Sequence, residues 1–125
     1  MVSDALLYAG SDIITLWGIA HILPTESVVN GFGQISQDNK RIITMEWIAE
    51  GLAMCFIGIL VLFVALFDGA ESDVSVIVYG ESAVMLVAMA VLTALTGART
   101  SIVPIKICPF VKLAVATLFI LGSVL

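Results

Sequence analysis

Four long apolar blocks, residues 5–23, 42–67, 74–97 and 105–125, are separated by three polar connections. Within each block the apolar residues run on without the strict alternation of a barrel strand, so the blocks read as helices. A helix needs roughly 20 apolar residues to cross a hydrocarbon layer of ~30 Å. Every block meets that length, and together they fill most of residues 1–125, so no soluble domain is expected within them. The pattern predicts an all-α, integral membrane four-helix bundle: one transmembrane domain over 1–125, with four transmembrane helices and a long first loop. Asp38 or Asn39 is placed to cap the second helix, and Ser72 or Asp73 the third. The fourth start has two solutions. The helix begins near Pro104 and carries Pro109 inside it, or it begins at Pro109 and is short.

The connections differ in kind. The acidic turn at 68–73 is short, so blocks two and three are expected to form an antiparallel hairpin. The first connection, PTESVVNGFGQISQDNKR at 24–41, exceeds the usual two to eight or so residues between bundle helices. Its apolar residues Val28, Val29, Phe32 and Ile35 share spacings that fit one half-buried face, while Gly31 and Gly33 oppose a regular helix. A loop or short interfacial helix over one end of the bundle is expected, as a plain connector or as a lid or docking surface.

Composition agrees with the pattern. The chain is 61% hydrophobic and 12% charged, half the charged fraction of about 25% usual in globular domains, and its mean hydropathy is +1.17. A net charge of −5 excludes a nucleic-acid binder, which needs cations against phosphates. Charge then adds orientation. All five basic residues, Lys40, Arg41, Arg99, Lys106 and Lys112, fall at the first connection, the third connection or the start of block four. The N-terminus and the second connection carry Asp4, Asp68, Glu71 and Asp73 instead. The positive-inside rule places a multi-pass protein in the cell membrane with loops 24–41 and 98–104 cytoplasmic and both termini outside. The first block does not read as a cleaved leader, because no basic region precedes it and Asp4 and Asp12 are acidic. Cys55 and Cys108 lie at different depths, so a disulfide is not expected, and no zinc spacing occurs.

Ionisable side chains at membrane depth are costly and mark candidate sites. At about 1.5 Å per residue, His21, Glu46, Glu50 and Lys112 all fall in the half nearest the basic loops. Glu46 and Glu50 are four apart and share a helical face. Two close carboxylates in low dielectric need a cation between or beside them, and His21 and Lys112 are the partners at that depth. A polar cluster of His21, Glu46, Glu50 and Lys112 is therefore expected, with Trp17 and Trp47 as cavity walls or interface anchors. Ordinary boundary roles compete with this: Glu46 and Lys112 lean toward their helix N-termini and can snorkel to water. No metal site is expected, since no ExxH or HxxxH spacing is present.

A second polar layer of Asp12, Glu81 and Tyr79 is expected in the other half, Tyr79 as an interface aromatic. Asp12 and His21 lie nine residues apart, about 180° around an ideal helix. They share one interior only if block one bends near Gly10 or Gly18; otherwise Asp12 faces a subunit contact. Small residues at packing spacing, Gly51, Cys55 and Gly58 in block two and Ala83, Ala90, Ala94 and Gly97 in block three, suit close helix approach.

Two stretches carry a family resemblance. Gly18-Ile19-Ala20-His21 closes the first span ahead of Pro24, and Glu46-Trp47-Ile48-Ala49-Glu50-Gly51-Leu52 opens the second. Together they resemble the DoxX-like group of small four-helix membrane proteins. The resemblance implies a four-helix bundle and, for some relatives, quinone-coupled redox chemistry or membrane-complex assembly, so quinone is the cofactor class it points to. Three functions compete. One is a non-transporting protein that binds an amphipathic ligand (lipid, quinone or sterol-like) at His21, Glu46 and Glu50, with a proton-moving enzyme as a less favoured variant. Another is a proton- or solute-coupled transporter acting as a homo-oligomer, with Asp12 and Glu81 at one end of its path. The third is a structural or assembly subunit.

Overall fold

A computed structural model describes residues 2–125. Its elements are α1 (Val2–Ile22), a short α2 (Thr25–Asn30), α3 (Gln37–Phe67), α4 (Asp73–Leu95), a 3-10 turn at Gly97–Arg99, and α5 (Val103–Val124). No strand occurs among the described residues. Four helices are long and apolar enough to cross a membrane: Ser3–Ile22, Gln37–Phe67, Asp73–Arg99 and Val103–Val124. The chain is an all-α four-helix bundle of a multi-pass membrane protein.

Each long helix buries one stripe with the three-then-four spacing of bundle packing. On α1 the stripe is Leu7, Ser11, Ile14, Gly18 and His21, with His21 only partly exposed. On α5 it is Cys108, Lys112, Val115, Phe119 and Gly122. Corresponding stripes on α3 and α4 include Met54, Val61, Tyr79, Leu86 and Thr93. The large aliphatic faces left outside, such as Leu16, Phe56, Val84 and Phe110, suit hydrocarbon rather than water.

The packing order differs from the chain order. α1 packs most extensively on α3, α4 on α5, and α1 on α5, whereas α3 and α4 make only a small contact. The expected α3–α4 hairpin is antiparallel in chain direction, but its helices are not each other's main partners. Side chains explain the preference. A Cβ added at Gly18 would come within 2.8 Å of Cys55 Sγ and of the Gly51 carbonyl. One at Gly58 would lie 2.8 Å from the Ser11 carbonyl. The stripe Gly51–Cys55–Gly58 thus turns its bare backbone to α1. Cys55 adds a contact to the Thr15 carbonyl at 3.6 Å, and both cysteines are free thiols.

Helix ends correct several expectations. α3 begins at Gln37, five residues before the apolar block, because Ser36 accepts from the Asn39 amide at 3.1 Å. Ser36, not Asp38 or Asn39, is the cap. Ser72 caps α4 by accepting from the Ser75 amide. α5 starts at Val103 with Pro104 in its first turn and Pro109 inside it, which settles the two solutions for that start. α2 forms over Thr25–Asn30, buries Val29 and leans on α3. At the acidic end α3 stops at Asp68, and Gly69 takes φ +60°, the left-handed backbone that ends a helix with least strain in glycine.

Candidate polar site at the basic end

The antiparallel helices bring the ends holding Lys40, Arg41, Arg99 and Lys106 together at one pole of the bundle. Asp4, Asp68, Glu71 and Asp73 gather at the other. Just inside the basic pole, four side chains from four helices meet. His21 comes from the last turn of α1, Glu50 from α3, Thr93 from the last turn of α4 and Lys112 from α5.

Lys112 is the centre. Its place between Cys108 and Val115 on the α5 stripe turns it inward, and its side chain is 0% exposed. Its Nζ donates to Glu50 Oε1 at 2.5 Å and to Thr93 Oγ1 at 2.9 Å. Snorkelling is thereby ruled out for this lysine; it is a core residue with a counter-charge. The same ammonium ties α3 to α4, the pair of helices that otherwise hardly touch.

His21 approaches the second carboxylate oxygen, Nε2 to Oε2 at 3.5 Å. The contact lacks hydrogen-bond geometry, and Nε2 is buried without a hydrogen-bond partner. Trp47 holds His21 at both its ring and its backbone. Its ring stacks on His21 with centroids 3.9 Å apart and planes 15° from parallel. Its Nε1 donates to the His21 carbonyl at 2.6 Å, which satisfies one of the orphan carbonyls of the α1 end. One turn below, Trp17 Nε1 donates to Cys108 Sγ at 3.3 Å and the ring packs on the core. Both tryptophans are therefore packing partners of the cluster.

Glu50 is the member with an outlet. Its side chain is 34% exposed, against 9% for His21 and 0% for Lys112. Successive helical residues are about 100° apart, so Glu50 sits that far round α3 from Gly51, which faces α1. Through the shared Lys112 ammonium the carboxylate is joined to Thr93 of α4, the helix with which α3 makes little contact. Glu46 is on the same flank of α3 as Glu50, one turn nearer the pole, and it is exposed. It makes no ion pair among the described residues, so the expected four-member cluster becomes His21, Glu50 and Lys112 with Glu46 outside its mouth. Low-dielectric repulsion between the two acids is avoided because only one of them is taken into the bundle.

The second polar layer does not form. Asp12 and Glu81 are both exposed, Asp12 on the outer face of a regular α1 and Glu81 on the outer face of α4. The half-turn between Asp12 and His21 is kept, with His21 inward and Asp12 outward. Tyr79 is fully buried, and its hydroxyl donates to the Gly69 carbonyl across the α3–α4 turn. It is a core residue, not an interface aromatic. Beside it, both Ser72 and Ser75 hydroxyls donate to Asp68 Oδ2, and these bonds, Ser75 first, hold the Asp68 carboxyl below the usual carboxylate range.

Thr93 is the site residue that sequence reasoning missed. Its signal was present: it lies one heptad beyond Leu86 on the buried α4 stripe. Among the described residues no three His, Cys, Asp or Glu side chains assemble as a metal-ligand set. Two surface recesses lie elsewhere. One of about 700 Å³ at the acidic pole is lined by Asp4, Tyr8, Asp68 and Glu71, and one of about 410 Å³ runs between α4 and α5. Compared with protein-family models, curated proteins and solved structures, the chain matches none of them.

Proposed function

We propose that this protein binds the polar head of an amphipathic ligand (a lipid, a quinone or a sterol-like molecule) at Glu50, from the membrane side between α3 and α4. The observation that carries this reading is the unequal exposure of a shared charge. Lys112 and His21 are buried against Glu50, while a third of the Glu50 side chain stays open. A purely structural ion pair would gain from closing that opening with apolar side chains. Here the buried cation holds a carboxylate in fixed position beside hydrocarbon, with Glu46 one turn nearer the headgroups. A ligand lying along α3 would set its head against these two acids and its tail against the apolar outer face of α3. The stretches that resemble the DoxX-like group include His21 and Glu50, and on that resemblance the proposal keeps quinone within the ligand class. The basic pole is the cytoplasmic one in this proposal, which puts the site in the inner leaflet.

The test is composition of the purified protein. Wild-type protein extracted in mild detergent is expected to retain an amphiphile in stoichiometric amount, identified by mass spectrometry. Glu50→Gln with His21→Ala is expected to lose it, while Glu46→Gln weakens retention less. Unchanged co-purifying lipid or quinone in a double variant that still melts cooperatively would overturn the proposal.

A further inference from the structure

The acids on the outer surface point to a second site. Glu81 lies eight residues into α4, about 12 Å along the helix from its acidic-pole end, and it is exposed. A carboxylate facing lipid at that depth is costly, and a cation placed beside it offsets that cost. No Lys or Arg of this chain can do so, since all five sit at or just inside the opposite pole. Beside Glu81 the surface is concave. A groove of about 410 Å³ runs between α4 and α5, bounded by Ala83, Val84 and Val87 on one side and Ala116, Thr117 and Ile120 on the other. Glu81 is not part of the lining: three residues before Val84, it stands about one turn nearer the acidic pole and about 60° round α4 from that wall, within reach of a helix seated in the groove. Gly80 next to it has open space where a Cβ would be, which leaves bare backbone accessible beside the carboxylate.

We infer that the α4–α5 groove is the docking surface for a transmembrane helix of a different protein, one that carries a lysine or arginine at the depth of Glu81. The walls favour a helix because the small, buried Ala83 and Ala116 lie low between the larger Leu113, Ile120 and Leu121, a trough of the shape that accepts the ridge of a neighbouring helix. The charge decides against a second copy of this chain. A copy in the same orientation offers only Asp12 and Glu81 at that depth, and juxtaposed acids repel. A basic residue from a different chain pairs with Glu81, and its apolar flank fills the groove.

The experiment places a benzophenone amino acid at Val84, in the full-length protein within the membranes of the cell that makes it. Light is expected to give one discrete adduct whose captured span, located by mass spectrometry, holds Lys or Arg level with Glu81. Glu81→Gln is expected to lower the adduct about tenfold, the scale of one interhelical polar contact. Reversing both charges, Glu81→Lys here and the captured basic residue to Glu, is expected to restore it. Glu81 is exposed, so both variants should keep the wild-type melting temperature. Adducts with further copies of the same chain, adducts with lipid alone, no adduct, or yields indifferent to Glu81→Gln would each overturn the inference. None of these outcomes bears on Glu50, which lies on another helix and near the other pole.

Discussion

Lys112 shows how far one side chain can organise this bundle. An ammonium with no exposed surface is tolerable only because a carboxylate and a hydroxyl take its protons. The two halves of the pair are unequal: Glu50 has a path to water or headgroups and Lys112 has none. Removing Glu50 should therefore harm the protein more than removing Lys112. Glu50→Leu is expected to cost about 3–5 kcal/mol, as for a buried charge left alone, and Lys112→Met clearly less. The double variant should recover much of the loss, a coupling read by thermal unfolding in detergent. Asp68 gives a residue-level pH prediction. Its folded carboxyl is held below the ordinary range, so the unfolded chain binds the proton first as pH falls. The stability it contributes is present above the ordinary carboxylate range near 4. It is lost as pH drops through the lower folded value. Protection of the amides at 69–75, relative to their intrinsic exchange at each pH, should fall below that range in the wild type. In Asp68→Asn that protection should not change with pH over the same range.

At the scale of elements, the α1–α3 seam is held by absent side chains. Gly18, Gly51 and Gly58 bring two backbones together, and any Cβ there meets backbone or a neighbouring side chain that has little room to move. Gly58→Ala is expected to destabilise by about 1–3 kcal/mol through overpacking, because it meets Thr15 and the Ser11 carbonyl. Gly80→Ala, with open space around its Cβ, serves as the control and should leave the melting temperature within a degree or two of wild type or raise it slightly. The same contrast explains which helices pair. The turn at 68–72 joins α3 to α4 covalently, yet α3 spends its small-residue face on α1, so the two are bridged chiefly by Lys112 near one pole and by Tyr79 at the other.

For the whole molecule, charge at the poles sets the orientation proposed above. A cysteine at Glu71 should react with a membrane-impermeant maleimide added to intact cells, and one at Thr100 only after permeabilisation. The reverse labelling would place the Glu50 site in the outer leaflet instead. The transporter reading, made for a homo-oligomer, sets Asp12 and Glu81 at one end of a path and Glu50 and His21 at the other. In the fold both acids face outward from a bundle whose centre is filled by Leu7, Val61, Leu86 and Phe119. A single chain thus has packed core where that path would run.

Much of this was legible in the chain itself. Block length and continuity determine four spanning helices, because hydrocarbon demands about 20 apolar residues and a fully bonded backbone. Gly51, Cys55 and Gly58 announced a close seam, and the depths of His21, Glu50 and Lys112 announced their meeting. What the sequence left open is azimuth and partnership. Spacing puts Glu46 and Glu50 on one face, but only the packing of α3 on α1 decides that Glu50 turns inward and Glu46 stays out. Periodicity allows Lys112 to snorkel or to sit in the core, and it is the facing Glu50 and Thr93 that decide for the core. Lengths of helices follow from local hydropathy, which one residue at a time can specify. Which side chains meet depends on how four such cylinders rotate against each other, and that is settled by all their contacts at once.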